Sequence, residues 1–245
     1  MIRTFPADYP HLYTALQTHG AIRIPQFITE EAAASLLFHL KLAFVPSRDN
    51  VEAIGAGRHA QALRRVVDGP LSRFVRVMHE PPLRPEFEQL VRLRNYLSGQ
   101  VDDPEGWWTA SRFNHYPAGG GWMATHRDLD YMGGEEPPGK WVQPILLLTK
   151  KGRDFHVGGG HVNGEDVDAQ CDPGDVIVYT GHVEHGVNPV DPFTPFNPST
   201  LDGRVVAMVT LYRRLPDDSK RAGKLNYWPP RAVANSIEGG LHVAA

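Results

Sequence analysis

His126 and Asp128 stand two residues apart in THRDLDY, residues 125–131, and Asp130 follows two further on. Residues of these types serve metal binding, general acid–base catalysis or an ordinary solvated loop. In an extended chain, residues two apart point to the same side. The imidazole of His126 and the carboxylate of Asp128 can then grip one ion, provided a third ligand exists. DPGDVIVYTGHVEHGVNPV, residues 172–190, offers one. Pro-Gly sets a tight turn, DVIVY reads as a buried strand, and His182 or His185 stands where the chain emerges. Two histidines and one carboxylate form the facial triad of non-haem Fe(II), which leaves coordination positions open. Zinc accepts the same set.

Arg204 opens the last strong β-rich run, RVVAMVTLY. An arginine buried in a barrel is costly unless it is paired with an anion. Its planar fork binds a carboxylate through two parallel hydrogen bonds. A co-substrate that chelates a metal at one end and ends in a carboxylate fits such a residue, and 2-oxoglutarate has that shape. An ion pair within the protein is the competing reading. GEEPPGKW, residues 134–141, imitates a phosphate-binding loop but fails as one. Trp141 replaces the magnesium-binding hydroxyl, and two prolines remove backbone donors.

The elements that must position these residues change character along the chain. The first hundred residues read as helical. Thr29 caps a helix with Glu30 and Glu31 in its first turn, where carboxylates suit the dipole. Pro85 opens another through FEQLVRLRNYL, stopped near Gly99. From Trp107 onward, short β-rich runs (WWTASRFNHYP, ILLLT, VDAQC, DVIVYT, RVVAMVTLY) alternate with Gly, Pro, Asn and Asp, the pattern of a β-sandwich or barrel. RVVAMVTLY is apolar on both alternating faces and must be covered on both. The expected architecture is mainly β: a barrel core over 107–214, backed by a mainly helical support over 1–106. A tail or lid over 215–245 completes a single domain.

Composition narrows the function classes. The 245 residues carry a net charge of -3 and no basic block, which argues against nucleic acid as partner. No apolar run reaches the ~18 residues of a membrane helix, and the start lacks a signal-peptide core. One cysteine, Cys171, permits no intrachain disulfide and favours a reducing compartment. A soluble, cytoplasmic protein is expected. Histidine stands out at 12, with His115, His126, His156, His161, His182 and His185 close together in the β-rich part.

Taken in order, these residues resemble the Fe(II)/2-oxoglutarate-dependent oxygenases. The pattern of that family is HxD, a distant His and a late Arg: here His126, Asp128, His185 and Arg204. RFNHYP resembles the R-x-N-x-Y-P stretch upstream of HxD, whose Asn and Tyr (Asn114 and Tyr116 here) touch the co-substrate. FHVGGGHV resembles the Gly-Gly segment between the triad halves. HGVNPV resembles the H-x-V-x-P-V run, which selects His185 over His182. GAIRIPQFITEEAAASL loosely resembles the opening of the phytanoyl-CoA dioxygenase-like branch. The match spans roughly residues 108–213.

The resemblance implies a double-stranded β-helix, or jelly roll, holding Fe(II) on His126, Asp128 and His185. It also implies 2-oxoglutarate bound to Arg204, Tyr116 and Asn114, with O2 as oxidant. The implied reaction is hydroxylation of a C–H bond in a small molecule, such as an amino acid or biosynthetic intermediate, releasing succinate and CO2. Two positions bear on the pattern. Val206 replaces the Ser or Thr that shares the co-substrate carboxylate in many members, leaving Thr210 as a distant substitute. Asp128 is retained, whereas the halogenating branch has Gly or Ala there. A metal-dependent cupin-like isomerase or zinc hydrolase that does not use 2-oxoglutarate is the alternative enzyme class.

Overall fold

The computed structural model describes residues 3–4, 9–43, 51–54, 62–79, 85–99, 107–131 and 141–213. Its elements in chain order are β1 (Arg3–Thr4), α1 (Tyr9–His19), β2 (Ala21–Ile24), α2 (Glu30–Ala43), β3 (Val51–Ile54), β4 (Ala62–Gly69), β5 (Ser72–His79) and α3 (Pro85–Ser98). They continue with β6 (Trp107–Pro117), β7 (Gly121–His126), β8 (Val142–Leu147), β9 (Gly159–Val162), β10 (Glu165–Asp166), β11 (Val176–Thr180), β12 (His185–Val190) and β13 (Gly203–Arg213). One curled sheet runs β1-β2-β11-β8-β13-β6-β5-β7-β12-β9-β10, with β4 on β5 and β3 on β4. All its pairs are antiparallel except β1–β2. The mainly-β jelly-roll expectation holds.

The helices start and stop for local reasons. Thr29 Oγ1 accepts the Ala32 N–H at 3.2 Å, the expected N-cap of α2. Pro85 opens α3, and Gly99, at φ +70°, ends it in the left-handed conformation that glycine adopts without steric cost. Phe87, Leu90, Leu93 and Leu97 of α3 are buried. Each such side chain contributes about 1.5–3 kcal/mol of transfer free energy. They pack with Leu12 and Leu16 of α1 and Leu36 of α2 against the outer face of the sheet.

Strand β13 shows why both its faces are apolar. Val205, Ala207 and Val209 join the cluster under the helices. Val206 and Met208 face the opposite way, into a second cluster inside the curl with Phe74, Leu147, Ile177 and Tyr179. Cys171 belongs to this inner cluster, and burial pushes its thiol up to about 12.

Two expectations of detail differ from the structure. The first hundred residues hold strands as well as helices. Strands β4 and β5 form a hairpin closed by Gly69↔Ser72, and β5 pairs with β6 and β7. The VDAQC run is not a strand: Asp168–Gln170 is a 3-10 turn, because Asp168 turns inward to meet a buried cation. The GEEPPG segment and the expected tail or lid lie outside the described residues. No helix among the described residues is long and apolar enough to cross a membrane.

Candidate metal centre and its cavity

Strands β7 and β12 create the centre by register. His126 is the last residue of β7, His185 is the first of β12, and the two are direct cross-strand partners. Their ring centroids lie 4.3 Å apart. Asp128 opens the 3-10 turn that follows β7. Its Oδ1 is 3.6 Å from His126 Nε2 and 3.6 Å from His185 Nε2. One ligand atom from each of the three residues lies within 4.8 Å of the others, a spacing one metal ion bridges. His182 and Asp130 are exposed and outside this group, which contains His185.

The surrounding bonds set which atoms face the ion. His126 Nδ1 is 2.8 Å from the Ala124 carbonyl, and His185 Nδ1 is 3.0 Å from the Val183 carbonyl. A carbonyl only accepts, so each Nδ1 carries the proton and each Nε2 presents its lone pair inward. Trp141 Nε1–H donates to Asp128 Oδ2 at 2.8 Å, leaving Oδ1 for a ligand role. The Tyr179 ring stacks on His185 at 4.2 Å and fixes its plane. Trp141, the last residue of the GEEPPGKW run, is a site residue that the sequence does not signal.

Burial opposes charge on His126, yet the Asp128 carboxylate and the Ala124 carbonyl outweigh it, and its pKa lies above the ordinary value. Burial lowers His185, against the pull of Asp128. Asp128 would be raised by burial, but the imidazoles and the Trp141 donor hold it below the usual carboxylate range. The centre therefore keeps an anionic carboxylate beside two imidazoles, the donor set that suits a divalent transition metal.

The triad opens into a cavity of about 790 Å³, its mouth included, inside the curl. Alternation along β6 points Arg112, Asn114 and Tyr116 into it, and Arg204 and Met208 enter from β13. Asn114 is buried, and its Oδ1 accepts no hydrogen bond among the described residues. Thr210 instead donates to Gln143 at 3.0 Å, so it is committed elsewhere.

Arg204 reaches the cavity wall as expected, but it already has an anion. Its Nε and Nη2 bond Asp168 Oδ2 and Oδ1 at 2.6 and 3.1 Å, and both residues are buried. Asp168 also accepts the Gly160 N–H at 2.5 Å. Two of the five guanidinium donors are used, and the others remain for a further acceptor. Asp168 does not stand out as a site residue in the sequence. Its only trace there is one acid inside an apolar run, VDAQC.

No protein-family profile and no curated protein matches the sequence. Solved structures do match. A prolyl-4-hydroxylase from Pseudomonas putida aligns at 15% identity and TM-score 0.56, covering 84% of this chain and 100% of that one. EvdO2 from Micromonospora carbonacea var. aurantiaca aligns at 16% and 0.53, covering 89% and 96%. The chain shares the fold of these two structures. EctD from S. alaskensis, at 16% identity and TM-score 0.51, shares it over 87% of this chain and 82% of its own.

Proposed function

We propose that this chain is an Fe(II)- and 2-oxoglutarate-dependent dioxygenase that hydroxylates an unactivated C–H bond of a small molecule, with succinate and CO2 as co-products. The observation that supports it is the His126–Asp128–His185 cluster opening on a cavity walled by Arg204, within this fold. Iron, 2-oxoglutarate and O2 supply the oxidising power when bound. The chain supplies position. His126 and His185 offer Nε2, and Asp128 offers Oδ1. The unused donors of Arg204 take the remote carboxylate of the co-substrate, and Asn114 and Tyr116 contact it from β6. Apolar groups of Met123, Val187 and Met208 keep water from the rest of the cavity. No side chain is required as a general base.

The Asp168–Arg204 pair favours a second reading, a metal-dependent enzyme of the same barrel that does not use 2-oxoglutarate, because the arginine's charge is already compensated. One experiment separates the two. Anaerobic protein loaded with Fe(II) is titrated with 2-oxoglutarate and watched for the weak visible absorption of the chelate. Appearance of the band, and its loss in Arg204→Ala with metal retained, supports the dioxygenase. A folded, iron-loaded protein without the band overturns it.

A further inference from the structure

Resting on that reading of the metal centre, we propose that the co-substrate pocket selects only weakly for a second carboxylate, and that it accepts monoanionic 2-oxo acids with apolar tails alongside 2-oxoglutarate. The residue that sets this breadth is Asp168. Arg204 is a cation of the cavity wall, and its guanidinium is closely enclosed. Its Nε and Nη2 edge is filled by both oxygens of Asp168, at 2.6 and 3.1 Å. The Tyr116 ring lies 5.5 Å from its Cζ. Gly160 stands so near that a Cβ there would meet Nη2, Cζ and Nε at 2.5, 3.0 and 3.3 Å. Asp168 is itself held by the Gly160 N–H at 2.5 Å and is only 2% exposed. The pair is a fixed part of the wall, because parting it would leave two buried charges uncompensated.

An ion pair of this kind changes what the arginine recognises. An uncompensated guanidinium fork takes a carboxylate through two charge-assisted hydrogen bonds, a gain on the order of a hundredfold in affinity. Here the donors left on Nη1 reach a second carboxylate, so 2-oxoglutarate binds. The Asp168 carboxylate stands across the same guanidinium, however, and its repulsion offsets most of the attraction. Neighbouring positions on β13 add no donor. Val206, the next residue on the inner face, is apolar, and the Thr210 hydroxyl is given to Gln143 at 3.0 Å. Arg76 and Arg112 also line the cavity, and neither is free. The lining includes apolar groups: Val162 on β9, Met208 on β13, and Val167, whose N–H donates to the Gly160 carbonyl at 3.0 Å. A tail ending in methyl groups buries apolar surface there and leaves no charge unpaired. The keto-acid end, which the metal takes, is common to every 2-oxo acid.

The test is anaerobic titration of Fe(II)-loaded protein with 2-oxoglutarate, 2-oxopentanoate and 4-methyl-2-oxopentanoate. Binding is read from the visible chelate band, and by calorimetry on the Mn(II) form. 2-Oxopentanoate has the same chain length, with a methyl group where 2-oxoglutarate has its second carboxylate. The three acids bind the wild type with apparent Kd values within about tenfold of one another. Asp168→Asn keeps the shape and removes the charge, which leaves the guanidinium uncompensated. 2-Oxoglutarate then binds about tenfold or more tightly, while the monoanionic acids keep their wild-type affinity. An Asp168 that only braced the fold would, when replaced, weaken all three alike. A wild-type preference for 2-oxoglutarate beyond about tenfold overturns the proposal, as does a folded Asp168→Asn protein with no gain in that preference. If the variant does not fold, the wild-type comparison decides alone. The same titrations keep the two readings apart. An iron-loaded wild type with no band from 2-oxoglutarate sinks the dioxygenase reading. A band accompanied by strong preference for 2-oxoglutarate sinks the broad co-substrate pocket alone.

Discussion

The two oxygens of Asp128 do different work. Oδ1 faces both imidazoles and Oδ2 receives Trp141. Asp128→Ala therefore abolishes metal binding, whereas exposed Asp130→Ala preserves it, as titration with Mn(II) or Zn(II) checks. Trp141→Phe keeps all three ligands but frees the carboxylate to rotate, and lowers metal affinity about 10–100-fold. The pH dependence follows from the imidazoles. His126 holds its proton more tightly than an ordinary histidine, and His185 less tightly. A raised pKa means protons compete with the metal at higher pH, so apparent affinity falls as pH drops through the pKa of His126. The fall has a slope of about one proton per metal, because His185 stays neutral further into acid. A flat affinity between pH 8 and pH 6, about the window in which an ordinary histidine titrates, would contradict this assignment. The triad was legible because the sequence carries its geometry. His126 and Asp128 are local, and the Pro-Gly turn and buried strand before His185 announce an emerging ligand. Trp141 was not legible, since its bond to Asp128 depends on how the chain returns after residues 132–140.

At the scale of elements, β9 and β13 are shaped around one ion pair. A Cβ built on Gly160 would lie 2.5 Å from Arg204 Nη2, and one on Gly159 would lie 2.5 Å from Asp168 Oδ2. The Gly-Gly segment thus clears space for a buried arginine and its carboxylate. Gly160→Ala is the cleaner probe, because only Gly159 has a left-handed φ, at +104°. The added methyl displaces the guanidinium, and 2-oxoglutarate affinity falls about tenfold or more while metal affinity holds. Titration of the visible chelate band against 2-oxoglutarate checks it. Asp168→Ala leaves a buried cation without its anion and costs about 3–5 kcal/mol, read by denaturant unfolding. The Arg204 half of this arrangement is readable, since an arginine opening an apolar strand needs an anion. The Asp168 half is not. Its segment reads as a strand, and the residue comes from 36 positions away.

The described part of the molecule is a sheet curled between two apolar layers, and the candidate metal centre lies inside its curl. Strands β7 and β12 belong to one side of that curl, while the cavity facing them is built by β6, β8, β11 and β13. The N-terminal half contributes more than support, because β5 brings Arg76 into the same cavity. Its hairpin turns at Pro70 and Leu71, just after Asp68 and Gly69, and these turn-forming residues are its signal in the sequence. Three ligands on β7, the turn after it and β12 make metal binding a cross-link that the unfolded chain lacks. An ion bound only by the folded state stabilises it by about 4 kcal/mol at 1,000 times its Kd. For a chain of this size each kcal/mol moves the melting temperature about 2–4 °C, so saturating Mn(II) raises it by roughly 8–16 °C over EDTA-treated protein. Asp128→Ala loses that increment and melts where the metal-free wild type does. A wild-type melt unmoved by the metal would contradict metal binding by the folded state, and a variant that keeps the shift would place the ion somewhere other than the β7–β12 seam.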